Sequence, residues 1–471
     1  MLMISIFDLG IIILFLLITL SIGLRLKKKI TLDDYWVNRR STRTFVLFCT
    51  MLSTNIGGGT VVGVVSMGYI GGLAGAILGC SYALGLILVA LIAPSIKKIG
   101  DKYECYTLPD FLALRYNQWC RGIGSFVNLI VFFFFMAAQF TALGTFVKIL
   151  TGWAFITSLI IAAVIIFAYS YVGGLKNDFR TDVFQFFVIL LLLFILFPLL
   201  VIKAQGFSSL TTLPIGYFTG TAFAGVAFII VAFLFLGPSI MVSMDIWQRI
   251  FAAIDEKTAK RSMILSGIFI LPLFFIFALI GMFAKILFPE IDPNMASAQV
   301  ITSVLPLGLI GIAFCGFLAA LMSTADSMLI VASTTITRDF YHGFINKKAS
   351  KEHLLKLSHR VTLFVGLLGL VIAIAIPSVI QLIINAFSSL AILLPATIGG
   401  LFWKRATSKA ACWSILSGFL TIIILMWIIP KIAFIPGILI SIIVFFILSF
   451  ITKHNPEENI NLMGCQKLSA K

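Results

Sequence analysis

The chain has 471 residues, of which 61% are hydrophobic and 11% are charged. A soluble globular domain has roughly 25% charged residues, so this composition excludes one and indicates an integral membrane protein with many spans. The formal net charge of +16 is also compatible with a nucleic-acid-binding protein. The positions of the basic residues along the chain decide whether nucleic acid is an expected partner.

Apolar runs of about 20 residues are long enough to cross a bilayer as helices. We predict thirteen such spans, at 5–26, 44–69, 71–96, 122–148, 153–172, 180–203, 222–247, 263–288, 305–337, 358–376, 379–402, 411–430 and 432–452. No basic residues precede the first run and no small-residue cleavage site follows it. We therefore expect it to remain as a span rather than to be removed as a signal peptide.

The basic residues predict the orientation of these spans. If the N-terminus lies outside and the chain alternates, the inside segments hold 30 of the 34 Lys and Arg residues. The positive-inside rule predicts this bias. We therefore expect a multi-pass protein of the cell membrane (plasma or inner) with a cytoplasmic C-terminus, whose basic residues face lipid headgroups rather than nucleic acid.

Several classes of enzyme and pump are excluded by what the sequence lacks. All four His residues lie in polar stretches, so a metalloenzyme or a His-based hydrolase at membrane depth is not expected. The sequence has no GxxxxGK[ST] motif for ATP-driven transport. The seven Cys residues form no CxxC pair, and we interpret them as small buried hydrophobes rather than as disulfides or metal ligands. The mixed segment 106–116 predicts a short interfacial helix on the inside face.

The second span is interrupted by glycine. Residues 53–60 read Ser-Thr-Asn-Ile-Gly-Gly-Gly-Thr, and three glycines cost a helix about 3 kcal/mol relative to alanine. Close helix packing would explain single glycines, but a run of three beside Asn55 favours local unwinding that exposes backbone carbonyls. Irregular backbone at this depth is tolerated where it lines a cavity.

The seventh span contains Gly237-Pro238, which we expect to break or kink the helix because proline lacks a backbone donor. Each interrupted span begins a group of five, at 44–203 and 222–402. Because five is odd, two consecutive groups have opposite orientations. Inverted repeats with matching interrupted helices indicate a secondary transporter with a site near the bilayer midplane.

The ninth span carries the polar residues Ser323, Thr324, Asp326 and Ser327 within five positions. A charge at mid-bilayer costs at least ~2.5 kcal/mol, so we expect this cluster to be functional. Together with Ala320, the three hydroxyl residues fall within an arc of roughly 100°. Such an arc offers oxygen ligands to a hard cation such as Na⁺. The alternative is that the hydroxyls only bond back to their own helix.

Two acidic residues lie near the start of the sixth span. Asp178 is typical of a solvated loop, whereas Asp182 begins the apolar run. Asp182 is either a second functional acid or a charge that the helix dipole stabilises.

Eight short segments are spread over nearly the whole chain: 34–40 (DYWVNRR), 106–110 (YTLPD), 173–176 (GGLK), 181–185 (TDVFQ), 248–253 (QRIFAA), 320–327 (ALMSTADS), 337–339 (TRD) and 400–406 (GLFWKRA). In their order and spacing they resemble the solute:sodium symporter family. The resemblance implies an all-α membrane protein with about 13 transmembrane helices and a leucine-transporter-type 5+5 inverted-repeat core. The expected parts are an N-terminal helix and inside loop (1–43), two five-helix repeats (44–203 and 204–402), two C-terminal helices (403–453) and a cytoplasmic tail (454–471).

The resemblance also implies ion sites at matching positions. The shared sodium site would use the carbonyls of Ser53, Ile56 and Ala320 and the hydroxyls of Ser323 and Thr324. A second ion site, present in some members, would use Asp182, Ser323, Asp326 and Ser327. Asp326 departs from members that have a hydroxyl there, and it either strengthens that site or carries a proton.

The implied substrate site lies beside the two interrupted helices. Its expected residues are Asn55, Gly57, Thr60, Gly75, Gly79, Gln139 and Gly237. Sugar-carrying members have Gln and Glu where Thr60 and Gly79 stand, which argues against a sugar. No basic residue lies at membrane depth in the third core helix to pair with a substrate carboxylate.

We therefore predict a transporter rather than an enzyme. It would carry a small organic solute, amino-acid-like or betaine-like, together with Na⁺ as the co-transported ion, with no organic cofactor and no obligate protein partner. The alternatives are proton-coupled symport through Asp182 and Asp326, or a membrane sensor on the same scaffold.

Overall fold

The computed structural model describes residues 5–24, 30–170, 174–428 and 433–453, and within them it contains helices but no β-strand. The first-half helices are α1 (Ile6–Leu24), α2 (Leu32–Val37), α3 (Thr44–Asn55), α4 (Val65–Gly71), α5 (Ala74–Tyr103), α6 (Leu108–Arg115), α7 (Gln118–Thr151), α8 (Phe155–Ser170) and α9 (Leu175–Lys203). The predicted tail, 454–471, and part of the first inside loop, 25–29, lie outside the described residues.

The second half begins after a short 3-10 segment and continues with twelve further helices. They are α10 (Ile215–Thr219), α11 (Gly225–Val231), α12 (Gly237–Ser239), α13 (Met244–Ala252), α14 (Glu256–Leu287), α15 (Ala296–Val304), α16 (Leu309–Thr334), α17 (Lys351–Ala375), α18 (Val379–Ala391), α19 (Leu394–Phe402), α20 (Ser408–Met426) and α21 (Phe434–Ile451). Three π-helical segments join neighbouring helices, at Gly59–Val64, Ala232–Leu236 and Thr335–Ile345.

The predicted spans agree with the helices of the structure. Within the described residues, eleven helices are long and apolar enough to cross a membrane, and a bent pair adds a twelfth. The remaining predicted span, 153–172, coincides with the shorter helix α8. Many large apolar side chains on the outer faces are exposed, as lipid contact requires, whereas α16 is buried along most of its length.

The second span is broken where the glycine run predicts it. Helix α3 ends at Asn55, the next helical segment begins at Gly59, and the two axes differ by 52°. Ile56 between them has φ −96° and ψ 56°, which is not helical. This confirms the predicted local unwinding.

The seventh span differs from the prediction. Gly237 has helical dihedrals (φ −61°, ψ −56°), so the chain does not break at Gly237-Pro238. The missing proline donor is accommodated by the π-helical segment Ala232–Leu236, and the helix ends further on, where Ser243 is extended (φ −72°, ψ 122°). The expected break is therefore shifted by several residues, and the separate helix α13 follows it.

A buried ionic cluster joins α6 and α7 to the π-helical segment at Thr335–Ile345. Arg121 contacts Asp110 at 2.7 Å and Asp339 at 3.1 Å, and Arg338 contacts Asp110 at 3.2 Å. Burial alone would raise the pKa of Asp110, but the two arginines hold it below its usual value. The segment predicted as an interfacial helix is thus helical, and this cluster fixes it to the core.

A second cluster fixes α2 against the start of α9. The carboxylate of Asp34 accepts hydrogen bonds from Lys176 at 2.8 Å, Arg39 at 2.7 Å and the Thr31 backbone at 3.0 Å. Burial opposes ionisation, but these bonds outweigh it and lower the pKa of Asp34 to about 2.

The interpretation of all cysteines as small buried hydrophobes is wrong for three of them, because Cys80 is exposed and two others are paired. Cys120 at the start of α7 and Cys412 in α20 form a disulfide. Sequence spacing could not indicate this pair, because 292 positions separate the two residues and only the packing of α20 on α7 brings them together.

Candidate functional site

Four of the five predicted sodium-site residues meet where α16 crosses the end of α3. The Ser323 hydroxyl donates to the carbonyls of Ser53 (2.8 Å) and Ala320 (3.1 Å). The Thr324 hydroxyl donates to the carbonyls of Thr54 (2.7 Å) and Ala320 (3.0 Å). These buried oxygens come from the last turn of the interrupted helix α3 and from the continuous helix α16. Hard cations are bound by such carbonyl and hydroxyl oxygens. The predicted fifth ligand, Ile56, lies in the unwound turn, and its N–H bonds back to Leu52.

The unwound turn is held in place by Gln139 of α7. The Gln139 Oε1 accepts the Gly58 N–H at 2.7 Å, which satisfies a donor at the start of the next helical segment. A Cβ at Gly57 would lie 2.8 Å from the Thr324 Cβ and 2.9 Å from the Gln139 Oε1, so only glycine fits there. The hydroxyl of Thr60 donates to the Asn55 carbonyl at 2.7 Å and spans the break.

A cavity of about 70 Å³ lies beside this turn. Four of the predicted substrate residues line this cavity: Asn55, Gly57, Thr60 and Gln139. The predicted sodium-site residue Thr324 lines it as well. The cavity and the candidate sodium site are therefore adjacent, with Thr324 shared between them.

The other three predicted substrate residues are not among the described residues that line the cavity. A Cβ at Gly75 would lie 2.8 Å from the Val64 carbonyl oxygen, and one at Gly79 would lie 2.7 Å from the Phe274 Cγ. A Cβ at Gly237 would lie 2.8 Å from the Ser81 Oγ. These glycines allow close helix packing, as small residues commonly do in membranes.

The guanidinium of Arg249 lies among the residues predicted for the second ion site. Its Nη2 donates to the hydroxyls of Ser327 (2.7 Å) and Thr54 (2.6 Å). The same nitrogen lies 3.7 Å from an Asp182 carboxylate oxygen and 3.9 Å from one of Asp178. A protein cation thus contacts two of the predicted ligands, Asp182 and Ser327.

The interpretation of Asp178 as a solvated loop residue is wrong. Asp178 is 1% exposed and accepts a hydrogen bond from Ser327 at 2.9 Å. It is buried because α9 already begins at Leu175, so Asp178 and Asp182 lie one turn apart on the same helix, facing α16. Asp326 is also buried.

Sequence reasoning missed three features of this region: the buried position of Arg249, the acid Asp245 and the aromatic rings of the cavity. The predicted span limits, 222–247 and 263–288, place Arg249 in an inside segment between spans, but it is fully buried. The available signal was the spacing of Asp245 and Arg249, which are four apart in an otherwise apolar stretch and so share one helix face.

Comparison with known proteins adds the family context. The sequence model described as "Sodium:solute symporter family" matches residues 35–418. The sodium/pantothenate symporter of Escherichia coli (strain K12) is 27% identical over 417 residues, which cover 82% of this chain and 83% of that protein. A sodium/proline symporter of Staphylococcus aureus (strain NCTC 8325 / PS 47) is 25% identical over 479 residues, which cover 93% and 91%.

Solved structures share the fold. A Na⁺-coupled sialic acid symporter in a substrate-bound outward-open state aligns with a TM-score of 0.82 at 17% identity, over 95% of this chain and 98% of the other. Mhp1, a nucleobase-cation-symport-1 family transporter, aligns with a TM-score of 0.62 at 15% identity, over 91% and 98%. The all-helical, leucine-transporter-type architecture expected from the sequence is confirmed.

Proposed function

Because the chain belongs to the sodium:solute symporter family, we propose that it couples entry of a small organic solute to the inward flow of Na⁺. The observation that carries this proposal is the shared position of Thr324. Its hydroxyl bonds a carbonyl of the broken helix α3, and the same residue lines the cavity. A cation bound at Ser53, Ala320, Ser323 and Thr324 would therefore fix one wall of the solute site.

The sodium ion would act by holding two helices together. With Na⁺ bound, the carbonyls at the end of α3 and the hydroxyls of α16 are joined through one ion. When Na⁺ leaves on the cytoplasmic side, that link is lost and the cavity wall loosens. The electrical gradient supplies ~2.3 kcal/mol per charge per 100 mV before the chemical gradient is added. Alternating access of this kind is typical of inverted-repeat transporters.

The relatives support a small organic solute. Their names give pantothenate, proline and sialic acid as transported solutes, and the cavity of this chain is small. We propose that the transported solute is amino-acid-like or betaine-like. We also propose that the chain is a multi-pass protein of the cell membrane, with its N-terminus outside and its C-terminus in the cytoplasm.

The test is thermal unfolding of the purified protein in NaCl and in KCl at equal ionic strength. A cation that binds only the folded protein stabilises it by RT ln(1 + [L]/Kd). A hydrogen-bonding group that contacts a charge contributes about 1.5–3 kcal/mol. Ser323→Ala and Thr324→Ala should therefore raise the Na⁺ concentration needed for half-maximal stabilisation about 10-fold to 100-fold.

Thr421→Ala is the control, because the hydroxyl of Thr421 in α20 likewise bonds back to its own helix, at 2.8 Å from the Ser417 carbonyl, but lies half-buried outside the candidate site. It should leave the sodium response unchanged. Equal stability of the wild type in both salts would contradict sodium coupling. A stability that follows pH instead would favour the proton-coupled alternative through Asp182 and Asp326.

A further inference from the structure

The cavity beside the unwound turn is lined by four aromatic rings that contact one another in series. Phe274 stacks on Tyr82 with ring centroids 6.0 Å apart, and Tyr82 meets Phe387 edge to face at 6.4 Å. Phe387 in turn meets Phe135 edge to face at 5.3 Å. All four residues line the cavity. Aromatic faces carry partial negative charge and attract cations, and groups of such rings are a common binding site for ammonium ligands.

The same cavity contains one acidic side chain, Asp245. Among the described residues that line it, Asp245 is the only acid and none is basic. Asp245 is 3% exposed, and one of its carboxylate oxygens accepts a hydrogen bond from Ser243. A carboxylate has acceptor positions for about four hydrogen bonds, so Asp245 retains capacity for a ligand donor.

Arg249 does not cancel the negative charge of this region. Its nearest contact with an Asp245 carboxylate oxygen is 3.8 Å. The same guanidinium also lies within 4 Å of Asp178 and Asp182. Three carboxyl groups thus share one positive charge, and a buried carboxylate is stable only when it is paired. A cationic ligand in the cavity would supply the missing charge for Asp245.

We infer that the transported solute carries a cationic nitrogen, an ammonium or quaternary ammonium, held between Asp245 and the four rings. This inference rests on the proposed transport function and specifies its substrate class. The solute's polar end would meet Asn55 and the unwound turn at Gly57, which also line the cavity; the Tyr82 hydroxyl donates to the Asn55 side chain there. A solute whose only charge is negative finds no basic partner among the described lining residues.

The experiment compares cations with carbon analogues of the same shape. The probe pairs are choline and 3,3-dimethylbutan-1-ol, glycine betaine and 3,3-dimethylbutanoate, and proline and cyclopentanecarboxylate. Binding to the purified full chain is measured by ligand-induced thermal stabilisation in NaCl. We expect the nitrogen-containing member of at least one pair to bind, and to bind about tenfold more tightly than its carbon analogue. If no nitrogen compound binds, or if the carbon analogues bind equally well, the inference is overturned.

Two variants locate the bound cation. Phe387→Leu removes the central ring and should weaken binding of the cation about tenfold, whereas Phe387→Tyr keeps the ring and should stay within about twofold. Asp245→Asn should remove the preference for the cation over its analogue. Asp245 also contacts Arg249, so the Asp245→Asn variant could fail to fold. The comparison of Phe387→Leu with Phe387→Tyr therefore tests the location of the cation by itself. Equal affinities of these two variants for the cation would overturn the assignment.

Repeating the measurements in KCl separates this inference from the proposed function. Cation binding that is equal in both salts would support the cationic cavity and contradict sodium coupling. Stabilisation by Na⁺ alone, with none of the probe cations bound, would support the sodium site and overturn the cationic cavity.

Discussion

Arg249→Met would remove the only positive charge that contacts Asp178 and Asp182 among the described residues. The side chain of Arg249 is fully buried, and its Nη2 donates to Thr54 at 2.6 Å and to Ser327 at 2.7 Å. Methionine keeps most of the length and the apolar stem but none of the donors. We expect the variant to be strongly destabilised in sodium-free buffer.

The expected magnitude follows from the loss of one partner of a buried ion pair. Such a change costs about 3–5 kcal/mol, because the remaining charge stays buried without compensation. Here three carboxylates, Asp178, Asp182 and Asp245, lose the same partner, so a value near the upper end is expected. Arg249→Lys retains a charge but not the forked donors, and it should lose less.

The assay is equilibrium unfolding in mixed detergent micelles, with a double-mutant cycle between Arg249→Met and Asp182→Asn. Neutralising Asp182 removes one of the three carboxylates left without a cationic partner, so the double variant should be more stable than Arg249→Met alone. Sodium should also stabilise Arg249→Met more than it stabilises the wild type, because Na⁺ can take the position beside Ser327 that the guanidinium vacates. An exposed arginine of the same helix as Asp182, Arg180, provides the control variant Arg180→Met.

Two results would refute this reasoning. One is an Arg249→Met protein that unfolds within about 1 kcal/mol of the wild type, since this would show that the buried carboxylates do not depend on the guanidinium. The other is strict additivity of the two substitutions, because groups in direct electrostatic contact have measurable coupling energies.

Three further predictions concern the turn and the two ionic clusters. Gly57→Ala should abolish sodium-dependent stabilisation, because the added methyl group would collide with Thr324; a normal sodium response would show that the turn can move aside. Asp34→Asn should destabilise the protein near neutral pH, because the folded-state pKa of Asp34 is lowered to about 2. This difference in melting temperature should shrink as the pH falls below about 4 toward 2, and a pH-independent difference would contradict it. Arg121→Gln should loosen the ionic cluster around α6 and so increase the labelling of the buried Cys105 by N-ethylmaleimide, measured by mass spectrometry. Labelling equal to that of the wild type would mean that the cluster does not shield Cys105.

The sequence predicted the features that depend on local chemistry. Three consecutive glycines next to Asn55 are unfavourable in a helix wherever they occur, so the break after α3 could be predicted without a structure. The hydroxyls of Ser323 and Thr324 could be placed on one face from helical periodicity alone, and the family resemblance named the carbonyls of Ser53, Ile56 and Ala320 beside them. In the structure Ser323 bonds the Ser53 carbonyl, whereas Thr324 bonds the carbonyl of Thr54, which was not predicted.

The features that sequence reasoning missed depend on contacts between distant segments. Asp178 and Arg249 were assigned to loops because charged residues next to a span are usually solvated. Their burial follows from the packing of α9 and α13 around α3 and α16, which no local pattern indicates. Likewise, Gly237-Pro238 is a strong breaking signal, but a π-helical segment absorbs the missing hydrogen bond and the helix continues to Val242.

Helix α13 would provide a physical route between the proposed solute cavity and the proposed ion-binding region. Asp245 lines the cavity, and Arg249, one turn later on the same helix, contacts Asp182. The two residues also contact each other, with the Arg249 Nη1 at 3.8 Å from the Asp245 carboxylate. A cationic solute beside Asp245 would weaken that attraction and leave the guanidinium more strongly bound to Asp182. Solute and ion would then affect each other's affinity through one rigid turn of helix, and by linkage that effect must be reciprocal.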